Sequence, residues 1–164
     1  MGKQWDGAEF FQMMANNEKA VGTLYRKLAT DARIGSGFFE NLAKDEDRHY
    51  HIYTALLKKF ASSKGLTIEV SEDQEQYLNL LVKNNMLNDA DQMLEKAANA
   101  KTKDDIYALA ESAERDAVLF VQELIGLYPD LQPEEFRTVL KEEKDHLKQV
   151  MNRRIESKMG TLRL

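Results

Sequence analysis

FENLAKDEDRHYHIYTALL, residues 39–57, carries apolar side chains at Phe39, Leu42, Tyr53 and Leu56, spaced so that they share one face of a helix. The positions that complete this stripe between Leu42 and Tyr53 are Glu46 and His49. FRTVLKEEKDHLKQVM, residues 136–151, repeats the arrangement, with Phe136, Val139 and Val150 flanking Glu143 and His146. Both stretches contain Glu-x-x-His, and residues three apart lie side by side on a helix. Only three histidines occur in the chain, and two of them sit in this motif.

Two further helical stripes are interrupted in the same way. Phe11, Met14, Val21, Tyr25 and Leu28 share a face whose missing member is Glu18; Tyr107, Ala110, Ala117, Val121 and Leu124 share a face whose missing member is Glu114. Burying an unpaired carboxylate costs several kcal/mol, against a total stability of about 5–15 kcal/mol for a domain. Four of them require compensation. Two divalent cations carry four positive charges, which match four carboxylates, and each imidazole adds a neutral ligand. Glu46 follows Glu18 by 28 positions and Glu143 follows Glu114 by 29, so the chain repeats one helical hairpin. The alternative, that these residues are solvated helix-surface groups, conflicts with the apolar stripes on either side of them.

Composition narrows the function classes. With 23 basic and 28 acidic residues and no basic block, nucleic acid and membrane surfaces are not expected partners. The longest apolar run is Ala117 to Val121, too short to span a bilayer, and the polar start MGKQWDGAEF lacks a secretion signal, so a cytoplasmic protein is expected. The absence of cysteine excludes disulfides, thiol catalysis and iron–sulfur clusters, leaving oxygen and imidazole nitrogen as metal ligands.

Both prolines, Pro129 and Pro133, lie in one short stretch, and strand-type alternation is hard to find. The spacing predicts an all-α single domain over residues 1–164, with long helices at about 6–31, 34–62, 103–126 and 133–158. Residues 66–102 form a long crossover, within which 72–82 and 88–98 have the pattern of short amphipathic helices. Two hairpins joined by one long connection predict a ferritin-like four-helix bundle. Two lone glutamates plus two Glu-x-x-His helices are an established signature of the di-iron and di-manganese proteins with that fold.

The match extends beyond the ligands. NEKAVGTLYRKLA (17–29) followed by FFENLAKDEDRHYHIYTALL (38–57), and ALAESAERDAVLFVQELI (108–125) followed by FRTVLKEEKDHLKQVM, resemble the rubrerythrin-like branch of the ferritin-like proteins, in its short form without a rubredoxin domain. The resemblance covers almost the whole chain. It implies two iron ions, with manganese or a mixed pair as substitutes, bridged by Glu46 and Glu143, with Glu18 and Glu114 as terminal ligands and one of His49 and His146 on each metal. Three features depart from the family pattern: Val121 stands where the second hairpin would repeat Tyr25, Ala117 provides no further glutamate one turn after Glu114, and no cysteines exist for a fused rubredoxin.

The function this implies is a non-haem di-iron oxidoreductase that reduces peroxide or dioxygen, with electrons from a separate donor such as a rubredoxin or flavoprotein. An iron-storage ferroxidase and a metal-stapled binding protein are the alternatives, in that order. Tyr25, two turns after Glu18, either orients a ligand carboxylate across the bundle or is an ordinary core aromatic. Glu111 is expected to face water rather than the metals, and His51 to point away from them. Gly22 suggests a closely approaching neighbour helix. Asp45, Asp47, Glu142 and Asp145 read as solvated charge. A homodimer is expected to cover the crossover's Tyr77, Leu80, Leu81, Met86, Leu87 and Met93.

Overall fold

A computed structural model describes residues 2–131 and 133–162. It is helical apart from one small sheet. The elements run β1 (Lys3–Asp6), α1 (Ala8–Leu28), α2 (Ser36–Phe60), β2 (Thr67–Val70), α3 (Glu72–Lys83), a 3-10 turn (Met86–Asn88), α4 (Ala90–Ala98), α5 (Lys103–Leu127) and α6 (Pro133–Leu162). The long elements pair as the hairpin pattern requires, α1 along α2 and α5 along α6, with further contacts joining α1 to α5 and α2 to α6. No helix among the described residues is long and apolar enough to cross a membrane.

Local chemistry sets the element ends. After α1, Thr30 and Asp31 donate backbone hydrogen bonds to Lys27 and Leu28, tightening the chain into a turn before the expected end near residue 31. Gly35, at φ +85°, reverses the chain into α2 in a conformation that disfavours other residues. In the crossover, the side chain of Ser71 accepts from the Gln74 amide and that of Asp89 from the Gln92 amide, which fixes the starts of α3 and α4. Thr102 and Asp105 form a reciprocal capping box at the start of α5.

The sheet corrects the expectation of a purely helical chain. β1 and β2 pair antiparallel, with Lys3 opposite Val70 and Trp5 opposite Ile68. Because α1 and α2 are antiparallel, the start of one lies beside the end of the other, and the two strands tie these ends together. The Gly7 amide and the Tyr128 hydroxyl both donate to the Leu66 carbonyl, at 3.0 and 2.7 Å, joining this clasp to the end of α5.

The chain covers part of the crossover's apolar surface itself. Leu87 and Met93 are buried against the helices and Leu81 is partly so, while Tyr77 and Leu80 stay 42% and 48% exposed. The Met86 side chain lies outside the described residues.

The core has two apolar clusters. One contains Phe10, Phe11, Tyr53, Val121 and Phe136; the other contains Tyr25, Phe39, Tyr107 and Val150. A layer of buried glutamate and histidine belongs to neither, at the level where all four stripes are interrupted.

Candidate metal centre

All six residues read as ligands are buried and meet in that layer: Glu18 from α1, Glu46 and His49 from α2, Glu114 from α5, and Glu143 and His146 from α6. Their ligand atoms form two groups, Glu18, Glu46, His49 and Glu143 in one, and Glu46, Glu114, Glu143 and His146 in the other, with the atoms of each group within 4.8 Å of one another. Glu46 and Glu143 belong to both groups. A glycine at position 22 suits the approach of α2, since a Cβ there would lie 3.7 Å from that of Glu46 and 3.2 Å from the Arg26 guanidinium.

Each histidine turns one nitrogen inward and one outward. Nδ1 of His49 lies 2.9 Å from Glu143, 3.4 Å from Glu46 and 3.7 Å from Glu18; Nδ1 of His146 lies 3.1 Å from Glu46, 3.5 Å from Glu143 and 3.7 Å from Glu114. The outward Nε2 of His49 donates to Glu142 at 2.7 Å, and that of His146 donates to Asp45 at 3.0 Å. A carboxylate accepting from Nε2–H favours the tautomer that leaves the Nδ1 lone pair free to ligate.

Glu142 and Asp45 were expected as solvated charge, and the structure corrects this. Each immediately precedes the glutamate of its own motif but serves the histidine of the other, so the two helices orient each other's imidazole. Arg48 joins the pair, with 2.9 Å to Glu142 and 2.7 Å to Asp45. The carboxyls of Asp45 and Glu142 resist the effect of partial burial and are held below their ordinary range by these bonds to histidine and Arg48. Asp47 and Asp145 are exposed as expected, although Asp47 pairs with Arg26. His51 is exposed. Glu111 points away from the centre, but to Arg154 at 2.9 Å and Arg115 at 2.8 Å rather than simply to water.

Tyr25 takes the orienting role. Its hydroxyl donates to Oε1 of Glu114, across from its own helix. A buried polar contact that spacing gave no hint of lies on the α1 side. Asn17, next to Glu18, and Asn85 of the crossover are both buried and exchange amide hydrogen bonds of 3.3 and 2.7 Å. The free space bordering Asn17, Glu18, Glu46, Glu114 and Glu143 is about 10 Å³, roughly the room of one water.

The donor set fits metal. Glu18 Oε2, Glu46 Oε1, Glu114 Oε2, both oxygens of Glu143 and Nδ1 of both histidines are buried without a hydrogen-bond partner, the inward 2.9–3.7 Å contacts lacking hydrogen-bond geometry. Burial, and then the charges of Glu143 and Glu46, push the Glu18 carboxyl well up; burial and then Glu46 do the same to Glu114. For Glu46, burial acts upward, but the neighbouring Glu18 carboxyl and both imidazoles hold it well below the usual range. Burial opposes charge on His49 and His146, yet the surrounding glutamates push both far above neutrality. In the metal-free protein protons therefore supply the positive charge that the carboxylates demand, and a cation can replace them. The cluster can hold a metal ion. No protein-family model, curated protein or solved structure matches this chain.

Proposed function

We propose that α1, α2, α5 and α6 form a ferritin-like four-helix bundle holding two iron ions, and that the protein is a rubrerythrin-like oxidoreductase that reduces peroxide or dioxygen. The observation that carries this reading is the pair of four-residue groups sharing Glu46 and Glu143. Glu46 and Glu143 would be shared by two cations, and iron suits a mixed carboxylate and imidazole set.

Held by Glu18, Glu46, His49, Glu114, Glu143 and His146, a diferrous pair would supply two electrons for reducing one hydrogen peroxide, with two protons, to two waters. The residues do the placing. Four carboxylates favour the more highly charged ferric state, and Tyr25 fixes Glu114 in orientation. Asp45 and Glu142 hold the imidazoles, and the apolar walls limit entry to small molecules. With no cysteine in the chain, re-reduction falls to a separate donor such as a rubredoxin or flavoprotein.

The test is to mix the diferrous protein anaerobically with hydrogen peroxide, and separately with dioxygen, and to follow oxidation by stopped-flow absorbance. One peroxide consumed per two irons, with repeated turnover when a chemical reductant is supplied, is the expected result. A protein that binds two irons and stays ferrous with both oxidants is not an oxidoreductase of this kind. Oxidation followed by release of iron, without turnover, would assign it to iron handling instead.

A further inference from the structure

The residues seven positions after the four glutamates follow a pattern. They are Tyr25 after Glu18, Tyr53 after Glu46, Val121 after Glu114 and Val150 after Glu143. Two turns along a helix return to nearly the same face, so each closes the centre from one side. Since α1 and α2 are antiparallel, the two phenols lie on opposite sides of the carboxylate layer. Tyr25 packs in the cluster with Val150, and Tyr53 in the cluster with Val121, so each end of the centre is closed by one tyrosine and one valine.

The two hydroxyls differ in one respect. That of Tyr25 donates to Glu114, whereas that of Tyr53 has no partner, although the side chain is 0% exposed. The ring is held by Phe136, stacked at a centroid distance of 6.4 Å. A buried hydroxyl without an acceptor is unfavourable, and phenylalanine would fill the same space without that cost. Burial, then the charges of Glu18, Glu143 and Glu46, push the pKa of this phenol well up, so it stays a protonated donor beside these carboxylates.

We propose that Tyr53 is a positioning residue whose free O–H is the hydrogen-bond donor for a small anion or oxygen-bearing molecule entering the centre. The free space beside the four glutamates is only about 10 Å³, so the ligand must be small. Tyr25 then orients a protein ligand and Tyr53 an incoming one, a division of labour that valine at 121 and 150 leaves to the first hairpin alone. This inference rests on the di-iron reading.

Azide is the probe. Wild-type and Tyr53→Phe proteins are loaded with iron, oxidised, analysed for iron per chain and titrated with azide, following the azide-to-iron charge-transfer band. The metal-free forms are melted alongside. The variant is expected to bind two irons, to melt at or above the wild-type temperature without metal, and to bind azide about five- to tenfold more weakly, the value of one hydrogen bond. Equal azide affinity in the two proteins overturns the assignment of Tyr53 while leaving the di-iron reading intact. A metal-free variant that melts well below wild type also overturns it, because the hydroxyl would then be structural. Wild-type protein without iron overturns both.

Discussion

Two equivalents of ferrous iron added to the metal-free protein under argon are expected to raise its melting temperature by about 15 °C or more, and to leave a Glu46→Ala, Glu143→Ala variant unmoved. A ligand that binds only the folded state stabilises it by about 4 kcal/mol when its free concentration is about a thousandfold above Kd. Two such sites give roughly 8 kcal/mol, and for a chain of this size each kcal/mol moves the melting temperature by about 2–4 °C. Glu46 and Glu143 are the right pair to remove because both ligand groups contain both of them. Taking them away deprives each group of two of its four members. Differential scanning calorimetry on the two proteins, with and without iron, reads the effect; equal shifts in both would show that iron binds elsewhere.

The metal-free protein is expected to lose stability as the pH rises from 6 to 8, while the iron-loaded protein does not. Glu18 and Glu114 hold their protons to higher pH in the fold than in the unfolded chain, and so do His49 and His146. The stability these groups contribute is complete below their unfolded values, about 4.3 for glutamate and about 6.5 for histidine, and is lost as the pH climbs towards the folded ones. Above pH 6.5 both histidines therefore act in this direction, and the two glutamates act with them for as long as they hold their protons. Glu46 is shifted the other way, and its contribution is lost only as the pH falls below about 4.3. Each proton held in excess costs about 1.4 kcal/mol per pH unit, or about 3–6 °C in melting temperature. Metal displaces these protons, so its affinity grows with pH and offsets the loss. Urea unfolding at pH 6, 7 and 8 reads both forms. A metal-free protein that gains stability over this range would mean the buried groups are ionised differently.

Much of this was legible in the sequence, because interrupted stripes are a direct record of burial. Phe39 to Leu56 and Phe136 to Val150 mark the inward face of a helix, and Glu46, His49, Glu143 and His146 fall on it by phase alone. Single-helix phase has a limit, however. Asp45 and Glu142 sit about 100° away from Glu46 and Glu143, which reads as a solvated flank, but a histidine from the neighbouring helix comes round to meet each. The available signal was an acidic residue just before the glutamate in both motifs, Asp45-Glu46 and Glu142-Glu143. Tyr53 was legible only as an apolar stripe member, although its spacing from Glu46 equals that of Tyr25 from Glu18. β1 and β2 escaped for a different reason: four residues each, mostly outside the core, leave too little alternation to register, and their pairing joins segments some sixty positions apart.

The most direct measurement is elemental analysis of the protein purified without oxygen, giving iron, manganese and zinc per chain for wild type and for the Glu46→Ala, Glu143→Ala variant. Close to two irons per wild-type chain, lost in the variant, is the result predicted here. The absence of stoichiometric metal from both would contradict it and leave four buried glutamates at the centre of the fold held by protons alone.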